Sequence, residues 1–481
     1  MSLVFVGRSR WSVWPAFVLA WFCLALAFAL SVFPGWLDHY FGHVTFDQVI
    51  FQVEAGYDSL FSADPKLIRR FWRGCVLNPA ILALGVMTLV WRFGGWKSRL
   101  LALVLAWGMA SVVVYKGFDV ATYVLSHADG DLFAAQYVDP SAVTVADPRR
   151  KRNLVLIYVE SLESTYGNEA LFGRNLLSPL TPFESRGRRF AHLRQTPGTG
   201  WTTAGLVASQ CGVPLKVFGL WNKNRQGEDL QAFLPNATCL GDLLSKHGYQ
   251  NVFMNGADLK FSGVGKFFAS HGYQERWGRD EWIRLGYPGG AFHDWGLPDD
   301  QLMLQARRRL HELMQLGQPF NLTLLTIDTH GPDGFPSPTC EAWGQAGDFP
   351  HKVTCAARLV AGLLSHIHEQ GWDDDIRVVV LGDHLAMKNP LSGALDHAAG
   401  RSPYNLFYPS GKPELTPSDI SYFDVFPSVL AFLGFTVPGG RLGLGWDALS
   451  GNLDVDTPDR WVNLDRMPQN STRYEKLWGF E

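Results

Sequence analysis

The sequence predicts membrane-crossing helices at the N-terminus, followed by an α/β domain on a doubly wound, mostly parallel sheet. Two observations predict it. Long uncharged apolar runs are confined to the region before residue 117. Beyond residue 152, short continuous apolar runs ending in acids or imidazoles alternate with stretches of helical length.

Composition agrees. A chain of 481 residues is too long for one ordinary soluble domain. Only 18% of residues are charged, 13% are aromatic, and there are 18 Trp. Low charge with abundant Trp points to a part of the chain in a bilayer. A formal net charge of −3 and a pI near 6.5 give no electrostatic case for nucleic acid.

The apolar runs come in order. Trp11 to Leu37, "WSVWPAFVLAWFCLALAFALSVFPGWL", carries no charge and is long enough to cross a hydrocarbon core of about 30 Å. Gly74 to Trp91 lies between Arg73 and Arg92, and Leu100 to Tyr115 lies between Arg99 and Lys116. The connection between the last two holds Arg92, Lys97 and Arg99 and no acid, and the N-terminal "GRSR" is also basic. The positive-inside rule places both in the cytoplasm, so three spans put the rest of the chain outside it. A fourth, amphipathic span near "TFDQVIFQVEAGYDSLF" would reverse that orientation.

Cysteine placement agrees with an oxidising compartment. Cys23 and Cys75 fall in the spans, and Cys211, Cys239, Cys340 and Cys355 all fall in the distal region. Cys340 and Cys355 flank a loop of turn residues and charge that a disulfide would pin, although spacing alone leaves the pairing open. The expected organisation is a transmembrane region over 1–117, a juxtamembrane linker over 118–152 and a catalytic α/β domain over 153–450. A tail over 451–481 completes it.

Within the α/β region, "NLVLIYVE" ends in Glu160, and "NVFMNGAD" ends in Asp258. "NLTLLTIDTH" ends in Asp328 and His330, and "IRVVVLGDH" ends in Asp383 and His384. Parallel α/β sheets bind ligands at the carboxyl ends of their strands. Glu160, Asp383 and His384 are carboxylate and imidazole donors of the kind a divalent metal takes. A strand-end Asp alone is more often a helix cap; convergence at one edge is what favours a metal. A nucleophile is found in "PGTGWTTAGLVASQCGVPL", where Thr202 and Thr203 open a helix-like run after two glycines. A hydroxyl at a helix N-terminus sits where an incoming phosphate is favoured, and beside a metal it can ionise and attack. The bland alternative is an ordinary N-cap threonine.

These motifs, "YVES", "PGTGWTTAGLVASQCGVPL", "MNGADLKF", "DWGLPDDQL", "IDTHGPDGF" and "GDHLAM", resemble the phosphoglycerol transferase I enzymes of Gram-negative bacteria. Those are related to lipoteichoic acid synthases and phosphoethanolamine transferases in the alkaline phosphatase–sulfatase superfamily. The resemblance covers roughly residues 150–450. It implies an alkaline phosphatase/sulfatase-type fold and a single metal, usually manganese, held by Glu160, Thr202, Asp383 and His384. It makes Thr202 the nucleophile, with Thr203 the fallback. It makes His330 the imidazole that contacts the transferred phosphoryl group, and Asp258 a carboxylate near the glycerol hydroxyls. Lipoteichoic acid synthases carry a Trp and an Arg after that Asp; here "LKFSG" follows, so Lys260 is the expected phosphate contact. The sulfatase motif Cys-x-Pro-x-Arg is absent, which argues against sulfate-ester hydrolysis.

The activity implied by this resemblance is transfer of phosphoglycerol from phosphatidylglycerol to periplasmic glucans. It would run through a covalent phosphothreonine and release diacylglycerol, at the bacterial inner membrane with the catalytic domain in the periplasm. Two other readings stay open from sequence. One is a phosphoethanolamine transferase acting on lipid A or glucan; the other is a non-catalytic membrane sensor.

Overall fold

The computed structural model describes residues 14–46, 48–50, 65–121, 132–142, 144–216, 232–344, 347–451, 458–465 and 472–479. The chain divides into two compact units, one holding the N-terminal helices and the other the sheet.

In the first unit, three helices are long and apolar enough to span a bilayer: Trp14–Phe41, Lys66–Phe93 and Trp96–Gly117. Each covers one of the uncharged runs expected to span, the first from Trp14 onward. They close on one another through small or slender side chains, Leu24, Ala27, Ala83, Met87, Ala106 and Ala110, all nearly inaccessible. Their outward positions are large and apolar, with Leu19 65% exposed and Leu105 63% exposed. A water-soluble bundle reverses this arrangement; small residues inside and large apolar residues outside suit lipid. The Trp21 indole donates to the Ala80 carbonyl (3.0 Å), a polar contact between the first two helices. Most of the amphipathic stretch weighed as a fourth span lies outside the described residues.

The second unit is built on an eight-stranded sheet. Its strands are β1 (Asn153–Val159), β2 (Arg188–Arg194), β3 (Gln250–Asn255), β4 (Glu275–Trp277), β5 (Phe320–Leu325), β6 (Ile376–Gly382), β7 (Asn405–Tyr408) and β8 (Glu414–Ser421). Their order is β4-β3-β5-β1-β6-β7-β2-β8. Every neighbouring pair is parallel except those made by β7, which runs against β6 and β2. The four strands expected from sequence are the four adjacent ones β3-β5-β1-β6, whose residues are almost all buried. Of the other four, β7 is buried but only four residues long. β2 reads "RRFAHLR", β4 has three residues, and β8 is exposed or half-exposed over its first six residues.

Alternation along β1 assigns the two layers. Val155, Ile157 and Val159 join the core formed with Leu310 and Leu313 of the helix Asp299–Leu316 and Val360 and Leu364 of the helix Phe349–Glu369. Tyr158 points the other way, and its hydroxyl bonds Ser209 on the helix Thr202–Cys211 (2.7 Å). With helices on both faces the sheet is doubly wound, as expected.

Cys211 pairs with Cys239 and Cys340 with Cys355, so all four distal cysteines are bridged. The segment expected as a linker contains a short helix, Leu132–Gln136, and pairs with the catalytic unit at Val138 and Gly443. The segment expected as a tail contains helices Pro458–Asp465 and Thr472–Leu477. They dock through a buried Arg460–Asp424 ion pair and a Tyr474 hydroxyl that donates to the Pro214 carbonyl (2.8 Å).

The Cys340–Cys355 bridge closes a loop with a sequence separation of 15 residues. Replacing both cysteines by serine should lower stability by about 3 kcal/mol through the loop freed in the unfolded chain. Thermal unfolding of the full chain in detergent, compared with the native protein, measures this.

Candidate metal centre and active site

The carboxyl edge of β1 and β6 is where the predicted ligands meet. β1 runs into Glu160, and β6, its parallel neighbour, runs into Asp383 and His384. All three are buried, and their donor atoms lie within 4.8 Å of one another. His384 Nε2 is 3.3 Å from Asp383 Oδ2 and 3.6 Å from Glu160 Oε1.

The local chain builds this geometry. Ser161 takes a left-handed conformation (φ 54°), uncommon without a glycine and costing roughly 1–3 kcal/mol. That turn aims the Ser161 N–H at Asp383 Oδ1 (2.7 Å) and its hydroxyl at Glu160 Oε1 (2.6 Å). Asp383 Oδ1 also accepts the His384 N–H (3.0 Å), so one carboxylate oxygen is fully committed to backbone. The other, Oδ2, is buried without a hydrogen-bond partner. The His384 Nδ1–H donates to the Leu385 carbonyl (2.7 Å), which turns Nε2 toward the two carboxylates.

Charge crowding shows in the ionisation of the set. Burial, and then the Glu160 carboxylate, push Asp383 up to about 7, against the Ser161 N–H and the nearby Thr202 hydroxyl. Burial opposes a charge on His384, but Asp383 and Glu160 outweigh it and hold the imidazole above its ordinary value. Two acids and an imidazole sealed together, with one acceptor oxygen unpartnered, fit a divalent cation.

Thr202 is brought to this set by packing. The helix Thr202–Cys211 lies so close to the end of β6 that a Cβ on Gly205 would sit 2.0 Å from the Asp383 carbonyl oxygen. At that approach the Thr202 hydroxyl is 3.4 Å from His384 Nε2. Thr203 is turned away: it is fully buried and donates to the Ser262 carbonyl (3.2 Å). Of the two threonines left open by the sequence, Thr202 is the one beside the cluster.

The remaining expected residues are arranged around it. His330 follows β5 on the same edge, stacks on Trp295 (3.8 Å between ring centres), and directs Nδ1 at the Gly331 carbonyl (2.9 Å). Its neighbour Thr329 donates its hydroxyl to the Glu160 carbonyl, tying this loop to the β1 end. Asp258 is half-buried and accepts the Lys260 N–H (2.9 Å), a local turn. Lys260 is exposed. Neither Asp258 nor Lys260 is bonded to the cluster among the described residues.

Sequence reasoning missed several supports. Ser161 stood inside the quoted "YVES", but its role depends on a backbone turn that residue type does not announce. Glu163, fully buried, is gripped by Arg401 and accepts the Ala386 N–H (2.8 Å), holding the chain after His384. Asp299 and Asp328 form a second buried acid pair. Asp299 accepts the N–H groups of Ile327 (2.8 Å) and Asp328 (3.0 Å), while Asp328 accepts the Asp299 N–H (3.2 Å) and the Ser337 hydroxyl. Every oxygen is satisfied within the protein, so this pair locks the loop carrying His330. Burial pushes Asp328 up to about 7 and Asp299 well above the carboxylate range, and lowers His293 beside them to about 4.

The fold and this edge cluster define a class: an α/β domain with a buried acid–imidazole centre and a helix-borne hydroxyl. The sequence pattern of the Sulfatase family matches residues 152–435, more than half of the chain, and the chain belongs to that family. Among curated proteins it is similar to phosphoglycerol transferase I of Escherichia coli O139:H28 and of Shigella boydii serotype 18. It is 38% identical to each over 366 residues, 73% of this chain and 46% of each relative. The chain thus spans about half the length of the curated relatives it matches. Among solved structures, an alkaline phosphatase superfamily protein from Vibrio parahaemolyticus aligns with a TM-score of 0.51 at 18% identity. That alignment covers 69% of this chain and 78% of the other. A lipoteichoic acid synthase from Listeria monocytogenes aligns at 0.50 and 16%, covering 68% and 80%. These two likenesses establish the fold.

Two outcomes test the geometry. In Gly205→Ala the helix must retreat from Asp383, displacing Thr202. Calorimetric titration should then show divalent-cation affinity falling by about 10–100-fold, the usual effect of disturbing groups that orient ligands. The second concerns Asp328, whose folded-state pKa of about 7 lies above its unfolded value. Its protonation therefore favours the folded state at low pH, and that contribution is lost as pH rises through about 7. Denaturant titrations between about pH 4 and 7 should show a shallower fall in stability for Asp328→Asn than for the native chain.

Proposed function

We propose that this chain is a phosphotransferase that moves phosphoglycerol from phosphatidylglycerol to a glucan. The observation that supports it most directly is the Thr202 hydroxyl, 3.4 Å from His384 Nε2 at the mouth of a buried two-carboxylate cluster. The similarity to proteins named phosphoglycerol transferase I supplies the group transferred.

In this reading Glu160, Asp383, His384 and Thr202 hold one divalent cation, for which we propose manganese. Such an ion supplies charge neutralisation at the phosphate and a lower pKa for a bound hydroxyl. The chain's own residues do the rest. Thr202 attacks the phosphorus of phosphatidylglycerol, forming a Thr202 Oγ–P bond. The bond from phosphorus to the diacylglycerol oxygen breaks, and the threonine proton ends on the departing diacylglycerol hydroxyl. N–H groups opening the helix at Thr202 face the negative charge that builds on phosphorus oxygens. His330, fixed by Trp295 and the Asp299–Asp328 lock, is the imidazole proposed to contact the phosphoryl group. Asp258 and Lys260 are proposed to meet the glycerol hydroxyls and the phosphate. A glucan hydroxyl then attacks phosphorus, and Thr202 leaves with its proton restored.

Three apolar helices that can span a bilayer fit a lipid donor. We place the protein in the bacterial inner membrane as a multi-pass protein, with the catalytic unit in the periplasm. The bridged distal cysteines suit that oxidising side.

Phosphatidylglycerol labelled in its head group should label Thr202 and then a glucan, releasing diacylglycerol. Thr202→Ala should reduce transfer by at least about 10³-fold, as loss of a nucleophile does. Chelation should stop the reaction and manganese restore it. Labelling from phosphatidylethanolamine alone would replace the glycerol reading with the ethanolamine one. Full transfer by Thr202→Ala would overturn the mechanism.

A further inference from the structure

A groove of about 620 Å³ lies at the far edge of the sheet, beside β4. Strand order puts β4 three places from β1, so the groove is separate from the acid–imidazole centre. One wall is aromatic. Trp277, half-buried, stacks on the buried Trp282 (5.0 Å, 25°), and Tyr287 follows on the next loop. The rest of the lining includes one face of the helix Asp299–Leu316, where Gln305, Arg308, Arg309 and Glu312 recur at helical spacing.

The charges on that helix face cancel locally. Arg309 pairs with Glu275 (2.6 Å) and with Glu312 (2.7 Å). Gln305 donates to the Tyr287 hydroxyl (2.6 Å), which fixes that ring against the helix. Arg308 is exposed and has no ion-pair partner among the described residues. The groove thus offers flat aromatic surface, planar side chains able to make paired hydrogen bonds, and nearly balanced charge. A polyanion or polycation finds no complementary field there. Its size is within the range of small-molecule sites.

We infer that this groove is a saccharide-binding site for a neutral oligosaccharide, distinct from the phosphoryl-transfer centre. Sugar rings present apolar C–H faces to the Trp277 and Tyr287 side of the groove. Their hydroxyls meet the forked Arg308 guanidinium, the Gln305 amide and the Glu312 carboxylate. The inference rests on the transferase reading only for the biological role of the sugar, as the acceptor held close to the chain between transfers. The site itself is argued from its own side chains.

The test uses the full chain in detergent and a fluorescently labelled neutral β-linked glucohexaose, followed by anisotropy. Saturable binding is expected. Arg308→Ala, at an exposed position, should weaken it by about tenfold or more with an unchanged thermal midpoint, and Tyr287→Ala should weaken it similarly in chains that remain folded at the assay temperature. Thr202→Ala should bind the hexaose as the native chain does. Absence of binding, or equal binding by both groove variants, overturns the site. Stronger competition by a sulfated oligosaccharide or by an acidic peptide than by unlabelled hexaose overturns the assigned class. Head-group labelling of the native chain separates the two readings. Hexaose binding that depends on Arg308, without any label from phosphatidylglycerol, removes the transferase reading and leaves the groove. Labelling with groove variants that bind like the native chain removes the groove alone.

Discussion

The helix that begins at Thr202 can reach the end of β6 only because residue 205 carries no side chain. A Cβ there would lie 2.0 Å from the Asp383 carbonyl oxygen, far inside any real contact. The same crowding occurs on the other flank, where a Cβ on Gly382 would lie 2.0 Å from the Leu162 carbonyl. Three backbone segments therefore meet at one point: the turn after β1, the end of β6 and the first turn of the helix. Glu160, Asp383, His384 and Thr202 are neighbours because their main chains are. The Tyr158–Ser209 bond, with Gln210 donating to the same phenol (3.2 Å), clamps the helix onto β1 a turn further along.

Both buried acid clusters obey the same electrostatics and end differently. Asp299 and Asp328 answer the cost of burial internally, by exchanging backbone N–H groups and drawing on Ser337. That arrangement is complete and holds a loop. Asp383 is hydrogen-bonded on one oxygen only, and its other oxygen faces His384 Nε2 and a second carboxylate. A bound cation would neutralise this meeting of two buried acids. The two acid clusters differ by one unpartnered oxygen, on Asp383.

Much of this was legible in the sequence, for identifiable reasons. The three long apolar helices could be read because lipid demands long uncharged runs, and a bilayer sets their length. The four central strands could be read because a strand covered on both faces must be apolar throughout. Glu160, Asp383, His384 and Thr202 could be read because each stands directly after such a strand or opens a helix after glycines. β2, β4 and β8 could not, since an edge or half-exposed strand with arginines or few residues resembles a loop.

Residue types and their spacing along the chain thus determined the apolar helices, the α/β class and the residues of the buried acid–imidazole cluster. Tertiary structure alone decided which threonine faces the cluster, because Thr202 and Thr203 are equivalent by type and differ only in the direction each takes from the first helical turn. It alone revealed the left-handed Ser161, the bond from Glu163 to Arg401 and the reciprocal Asp299–Asp328 lock. These partners lie up to 238 residues apart in the chain. They carry no local signature, since hydrogen bonds and close backbone approaches depend on distance in space, which periodicity along one strand or helix does not encode.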